Sequence, residues 1–325
     1  MTNTRLGQGT RLERDYGRAL GWYPMRWRRT HGPAMLGTLL DVADDEGRSR
    51  PAHGELAELR WQGVRERVNT VVPGDVRALA ASIGTGSMAG FALVYLVWVS
   101  WGPWDARPLA PNQYDTFGPF WNAGVLFCVP FLLGALAAVA GSRAAAHLFV
   151  LVGLVALPIV TVMVRADVGQ PGPRSTTLGA ALLLGLVALL GDPRDRRALL
   201  STFAVVGGGL VFYAVWLPPT GNSWRLVTVG DGGFWGSVAA PWMTASAGVT
   251  VAVVVVVLLV RRRPVPAAAL ALAWLPWGAA TTVTLRFFAD EPADAVVVAA
   301  VSVAFAVGAV AAAARRPTRR RREQA

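Results

Sequence analysis

The stretch IGTGSMAGFALVYLVWVSWGPW, residues 83–104, has 22 positions without one acidic, basic or histidine side chain. Crossing the hydrocarbon of a bilayer takes about 20 predominantly apolar residues, within a range of roughly 17–25. Inside hydrocarbon a lone segment must satisfy its own backbone polar groups, so such a run reads as a helix. Seven further runs free of Asp, Glu and Arg follow: 120–141, 144–164, 175–191, 198–217, 237–260, 265–285 and 295–314. The run 175–191 is the shortest, at 17 residues. Gly and Pro within the runs, such as Pro130, Pro158 and Pro276, are compatible with membrane helices. The expected fold is all-α: a polytopic membrane protein of about eight transmembrane helices.

Composition agrees. Of 325 residues, 54% are hydrophobic and 16% charged, with a mean hydropathy of +0.43. Soluble domains carry about 25% charged residues. Ten of the 20 acidic residues precede residue 83. The chain therefore divides into a polar segment, 1–82, two sets of four spans, 83–191 and 198–314, a linker, 192–197, and a basic tail, 315–325. Residues 1–18 lack an apolar core, so no cleavable signal peptide is expected.

The net charge is +11, and all 31 basic residues are arginine. Their placement sets an orientation, because cytoplasmic connections of membrane proteins are enriched in basic residues. With a cytoplasmic N-terminus, inside segments hold 26 arginines and outside loops five. Without the first 82 residues the contrast is still 13 to five. Both termini are thus expected in the cytoplasm, in the plasma membrane. The arginine clusters are expected to meet anionic lipid headgroups rather than nucleic acid. Trp98, Trp101, Trp104, Trp121, Trp216, Trp224, Trp235 and Trp242 then fall at or near the outer face, where an aromatic belt belongs.

The two sets of spans resemble one another. Tyr95-Leu-Val-Trp98 matches Tyr213-Ala-Val-Trp216, and each precedes a loop with an aspartate and a Phe-Trp pair: Asp115 with Phe120-Trp121, Asp231 with Phe234-Trp235. Leu157-Pro158 matches Leu275-Pro276. The offsets are 118, 114 and 118 residues. A four-plus-four tandem repeat with parallel halves accounts for them, as does chance similarity among apolar segments. Asp115, Trp121, Asp231 and Trp235 are the outer-face ligand candidates; the competing account is that each aspartate caps a helix start beside interfacial aromatics.

Other chemistry is sparse. Ionisable residues within spans are usually functional, and the runs hold only His147, one turn from a cytoplasmic end, with Asn122 near an outer end. Cys128 is the single cysteine, and His31, His53 and His147 lack metal-ligand spacing. No cofactor, metal or catalytic residue is expected. Gly84-x-Gly86-x-x-x-Gly90 reads as small residues at a helix contact, since no P-loop lysine follows it. Gly207-Gly-Gly209 reads as close packing.

In the polar segment, helical stretches are expected at 11–22, 26–42 and 55–72, with a loop at 41–51. Met35, Leu36, Leu39 and Leu40 share one face, and Leu56, Leu59, Val64 and Val68 another. So small a core is marginal, and the segment is expected to pack on the membrane surface or on a protein partner. Tyr16, Tyr23-Pro24, Trp27-Arg28, His31-Gly32, Met35-Leu36, Leu39-Leu40-Asp41 and Leu59-Arg-Trp-Gln-Gly63-Val-Arg65 resemble the start of uncharacterised multi-pass integral membrane proteins of actinobacteria. The pattern is similar to the prefix domain attached to some ABC-type permeases, although His31 stands where that version carries an aromatic. The resemblance covers residues 16–68 and implies a module, not a reaction. The expected role is non-enzymatic: interaction, regulation or scaffolding. The alternative is a transporter or permease subunit for a neutral or apolar solute.

Overall fold

The computed structural model describes residues 6–101, 119–120, 122–166, 173, 175–216, 239–288 and 292–315. Among them every regular element is helical, and the chain divides into two compact units, Met1–Pro73 and Gly74–Ala325.

The first unit is three helices: α1 (Leu6–Leu20), α2 (Met25–Asp45) and α3 (Glu55–Val71). Leu12, Tyr16, Ala19, Ala43 and Leu59 are buried together, with Met35, Leu36, Leu39, Leu40 and Leu56 packed on them. The residues of the sequence motif are thus structural. Tyr16 is fully buried. Pro24 is the N-cap of α2, and the rings of Tyr23, Trp27 and His31 follow one another along it. Gly63 lets α3 press on the α1–α2 turn, since a Cβ there would stand 2.9 Å from the Trp22 carbonyl carbon. α2 runs on to Asp45, into the stretch expected as loop. Its stop is Gly47 at φ 63°, with the Arg48 N–H reaching back 2.7 Å to the Ala43 carbonyl. Glycine adopts that left-handed conformation without steric cost.

Glu55 is the polar hub of this unit. Its Oε2 accepts bonds from Tyr16 Oη (2.9 Å), Arg48 Nη1 (3.1 Å) and the Ala52 N–H (2.8 Å). Burial by itself would raise the Glu55 carboxyl, but the three donors outweigh it and hold it below its ordinary range. Burial, reinforced by Glu55, pushes the Tyr16 phenol up.

The second unit begins with α4 (Gly74–Val94), which continues as a π-helical segment, Tyr95–Trp101. The helix therefore starts ahead of residue 83. Hydropathy marks the apolar part of a helix, not its polar first turns, where Asp75 Oδ1 accepts the Val76 N–H at 2.9 Å. Then come α5 (Val125–Ala140), α6 (Arg143–Ala166), α7 (Ser175–Ala188), α8 (Arg196–Trp216), α9 (Ala239–Val260), α10 (Pro264–Phe288) and α11 (Pro292–Ala314). Each of the eight uncharged runs thus lies largely within a helix. Among the described residues, two helices are long and apolar enough to cross a membrane: Gly74–Trp101 (28 residues) and Arg143–Arg165 (23 residues).

α4 is central, packing on α5, α7, α8 and α10; α10 also packs on α7, α9 and α11, and α5 on α6. Phe91, Tyr95, Phe127, Phe131 and Leu184 fill the core. Of α4's most apolar window 78% is buried, against 28% of α6's. α6 instead turns outward Leu148, Leu151, Val155 (61% exposed), Ile159 and Val162 (66%). α9 and α11 also expose valines. The two Leu-Pro elements hold corresponding places in helix order but not in packing: Pro158 is exposed on α6, and Pro276 is buried in α10.

Candidate functional site along the central helix

α4 and α8 meet through glycine. A Cβ on Gly86 would collide with the Leu199 carbonyl oxygen, and one on Gly90 would stand 2.9 Å from the Gly207 amide nitrogen. These contacts fall in the same order along both helices, so the two run side by side in one direction. Small residues let backbones approach this closely. Gly84 does the same towards α7, where its Cβ would stand 2.6 Å from Val187 Cγ1. The reading of Gly84, Gly86, Gly90 and Gly207 as packing glycines agrees with this placement.

A cleft between α4 and α8 lies beside their glycine contact. It has a volume of about 340 Å³ and is walled by apolar residues including Leu93, Val97, Phe203, Ala204, Gly208 and Val211. Its walls offer van der Waals contact and essentially no hydrogen-bonding group, so they suit an acyl chain or another apolar body.

Polar groups gather at both ends of this seam. At the N-terminal end of α4, Ser82 Oγ donates to the Ala78 carbonyl (3.0 Å) and accepts the Asp195 N–H (3.1 Å). Asp195 Oδ1 accepts the Ala198 N–H at 3.0 Å, an N-cap for α8. Beside them Asp192 Oδ2 receives Arg194 (3.0 Å) and Arg143 (3.5 Å). The Arg194 hydrogen bond lowers the Asp192 carboxyl below its ordinary range; burial opposes it, and Arg143 and His147 add to it. His147 Nε2 lies 3.3 Å from the Gly191 carbonyl oxygen, which an Nε2–H tautomer reaches. A Cβ on Gly141 would stand 3.0 Å from an Arg196 guanidinium nitrogen. Residues 77–82, 141–147 and 191–196 thus share one end of the unit. Several guanidinium groups around one or two carboxylates make that end attractive to anions.

At the other end sits the π-helical segment. π-Helical turns leave i→i+4 backbone bonding and are frequent at functional sites. Here a buried amide serves it: Asn122 Nδ2 donates to the Val99 carbonyl (3.3 Å), while Oδ1 accepts Ser100 Oγ (2.9 Å) and the Gly124 N–H (2.8 Å). Between the two ends, Trp277 Nε1 on α10 donates to Ser87 Oγ on α4 at 3.0 Å.

The chain matches no known family model, no curated protein and no solved structure.

Asp115, Trp121, Asp231 and Trp235 lie outside the described residues. Their neighbour Asn122 is described and buried; a lone amide in an otherwise apolar run was its one sequence signal. The pairing of Arg143 with Asp192, and of Ser82 with the Asp195 amide, carries no such signal, since its members lie far apart in the chain. Cys128 is buried in the core. Among the described residues no group of three or more His, Cys, Asp or Glu could hold a metal ion.

Proposed function

We propose that this chain is an eight-span protein of the cytoplasmic membrane, with both termini inside and a non-enzymatic role in interaction, regulation or scaffolding. The observation that carries the membrane reading is the outward face of α6. Leu148, Leu151, Val155, Ile159 and Val162 are all exposed. Full burial of such a side chain is worth roughly 1.5–3 kcal/mol; at 48–66% exposure each forgoes about half of that in water, and lipid removes the cost. The arginine asymmetry gives the orientation, and the gathering of residues 77–82, 141–147 and 191–196 at one end is what a shared cytoplasmic face requires. The prefix-type motif supports an interaction role for the first unit, because its residues build a separate three-helix fold.

The second reading, a transporter or permease subunit for a neutral or apolar solute, is favoured by the apolar cleft between α4 and α8, the first helices of the two halves. One experiment separates the two. Full-length chain cross-linked and purified from membranes is expected to bring a stoichiometric protein partner that a chain lacking residues 1–73 does not retain. Absence of any partner, together with movement of an apolar fluorophore across liposomes containing the purified chain, replaces scaffolding with transport.

A further inference from the structure

α3 packs Leu56 and Leu59 into the three-helix core; Val64 and Val68, expected to share their face, instead belong to a second apolar face that this core does not cover. Trp61 is 69% exposed, Val71 65% and Val68 39%, with Val64 half-buried between them. At 3.6 residues per turn these four fall within about a quarter of the helix circumference. Gly63, which points at the α1–α2 turn, lies on the opposite side from Trp61. Exposed Arg60 and Arg65 border the stripe. The acidic side chains of α3 are engaged: Glu55 by Tyr16, Arg48 and Ala52, Glu58 by Gln62, and Glu66 by Asn69. The stripe is thus apolar at its centre, with Arg60 along one margin and Arg65 beside exposed Glu58, still charged under its bond from the Gln62 amide, along the other.

Covalent geometry narrows what can cover it. Val72 and Pro73 alone separate α3 from α4, the 28-residue apolar helix. Three Cα steps span at most about 11 Å and the polar turns of α4 before residue 83 rise about 14 Å more, so the end of α3 stays within about 25 Å of the point where α4 enters a bilayer. A helix with an apolar face and arginines along its edge lies in the interface plane of a membrane and prefers anionic lipids.

We infer that α3 is an interfacial helix whose Trp61–Val64–Val68–Val71 stripe inserts into the anionic surface of the cytoplasmic leaflet. The inference rests on the membrane reading above. It gives the first unit a lipid partner of stated chemistry, with the stripe in the acyl-chain boundary and Arg60 and Arg65 at the phosphates.

The test uses the full-length chain in phosphatidylglycerol-containing nanodiscs, with single spin labels at Val68→Cys, Thr70→Cys and Val155→Cys. The background is Cys128→Ala, or the native chain if that variant elutes poorly, since Cys128 is buried. Collision with oxygen reports lipid, and collision with a water-soluble nickel chelate reports solvent. The oxygen-to-nickel ratio is expected above unity at 68 and 155 and below unity at 70. In phosphatidylcholine alone, or with Arg60→Gln and Arg65→Gln together, the ratio at 68 is expected to shift towards that at 70. Solvent-like collision at 68 with lipid-like collision at 155 overturns the inference and leaves the membrane reading standing. Shielding of 68 from both reagents also overturns it, because protein then covers the stripe. A ratio at 68 indifferent to lipid charge and to both arginines overturns the anionic assignment. Water at 155 overturns the inference and the membrane reading together.

Discussion

Glu55 shows how much of a small fold can rest on one carboxylate. Three donors, one from α1 and two from the α2–α3 connection, converge on a single oxygen. Hydrogen bonds to a charged group contribute about 1.5–3 kcal/mol, a large share for a three-helix unit. Glu55→Gln is expected to destabilise the first unit by about 1–3 kcal/mol, read as faster hydrogen exchange of α1 and α3 peptides in the full chain. Exchange like that of the parent would show the hub to be dispensable. The pH response has two flanks. The Glu55 carboxyl is lowered from 4.5 in the fold, so its contribution is complete above that value and is lost as pH falls through the depressed one. The Tyr16 phenol is raised from 10.0, so its share is lost as pH climbs past 10.0 and the unfolded chain ionises first. Exchange corrected for its intrinsic pH dependence should be slowest between these flanks. Tyr16 and the leucines around it were legible in the sequence as motif and periodicity. Glu55 was not, because its partners come from distant turns whose meeting depends on the whole unit.

Helices were the most legible elements, because an uncharged run long enough for a bilayer admits little else. What the runs could not give was where each helix begins. α4 starts in the polar residues from Gly74, and Asn122 to Gly124 form a turn ahead of α5 although they lie within an apolar run. The π-helical segment has no marker in Tyr95–Trp101; it follows from what surrounds it, including the Asn122 side chain. The glycine pattern could be read as packing, but not its partner. That pairing makes a contrast available within one protein. Gly86→Leu drives a side chain into the Leu199 carbonyl, and overpacking typically costs 1–3 kcal/mol or more, so its unfolding temperature in detergent is expected to drop clearly. Gly208→Ala meets nothing within 4 Å and should match the parent. Equal loss in both would mean that the α4–α8 approach does not set the outcome, since leucine and alanine both favour helix over glycine.

The whole molecule is where sequence reading reached least far. Charge marked a polar first segment to residue 82, whereas the first compact unit ends at Pro73; the grouping of Arg143, His147, Asp192 and Ser82 at one end had no mark, since pairs such as Ser82 and Asp195 are separated by 113 residues. The outer-face residues chosen for chemistry lie outside the described part, so the candidate seam rests on residues that the sequence marked only as packing. Reporter fusions after residues 82 and 325 are expected to give cytoplasmic signals, and one at Asn112 an external signal; an external signal at either end reverses the arginine argument. The glycine seam carries a consequence for biosynthesis. α4 leaves the ribosome ahead of α5 to α11, yet the neighbour it approaches most closely, α8, is made more than a hundred residues later. Until then, on the membrane reading, Gly86 and Gly90 face the translocon or lipid without the shape they are built to fit. A chain stalled before α8 should therefore be held by membrane chaperones or cleared by proteases, while the completed one escapes both.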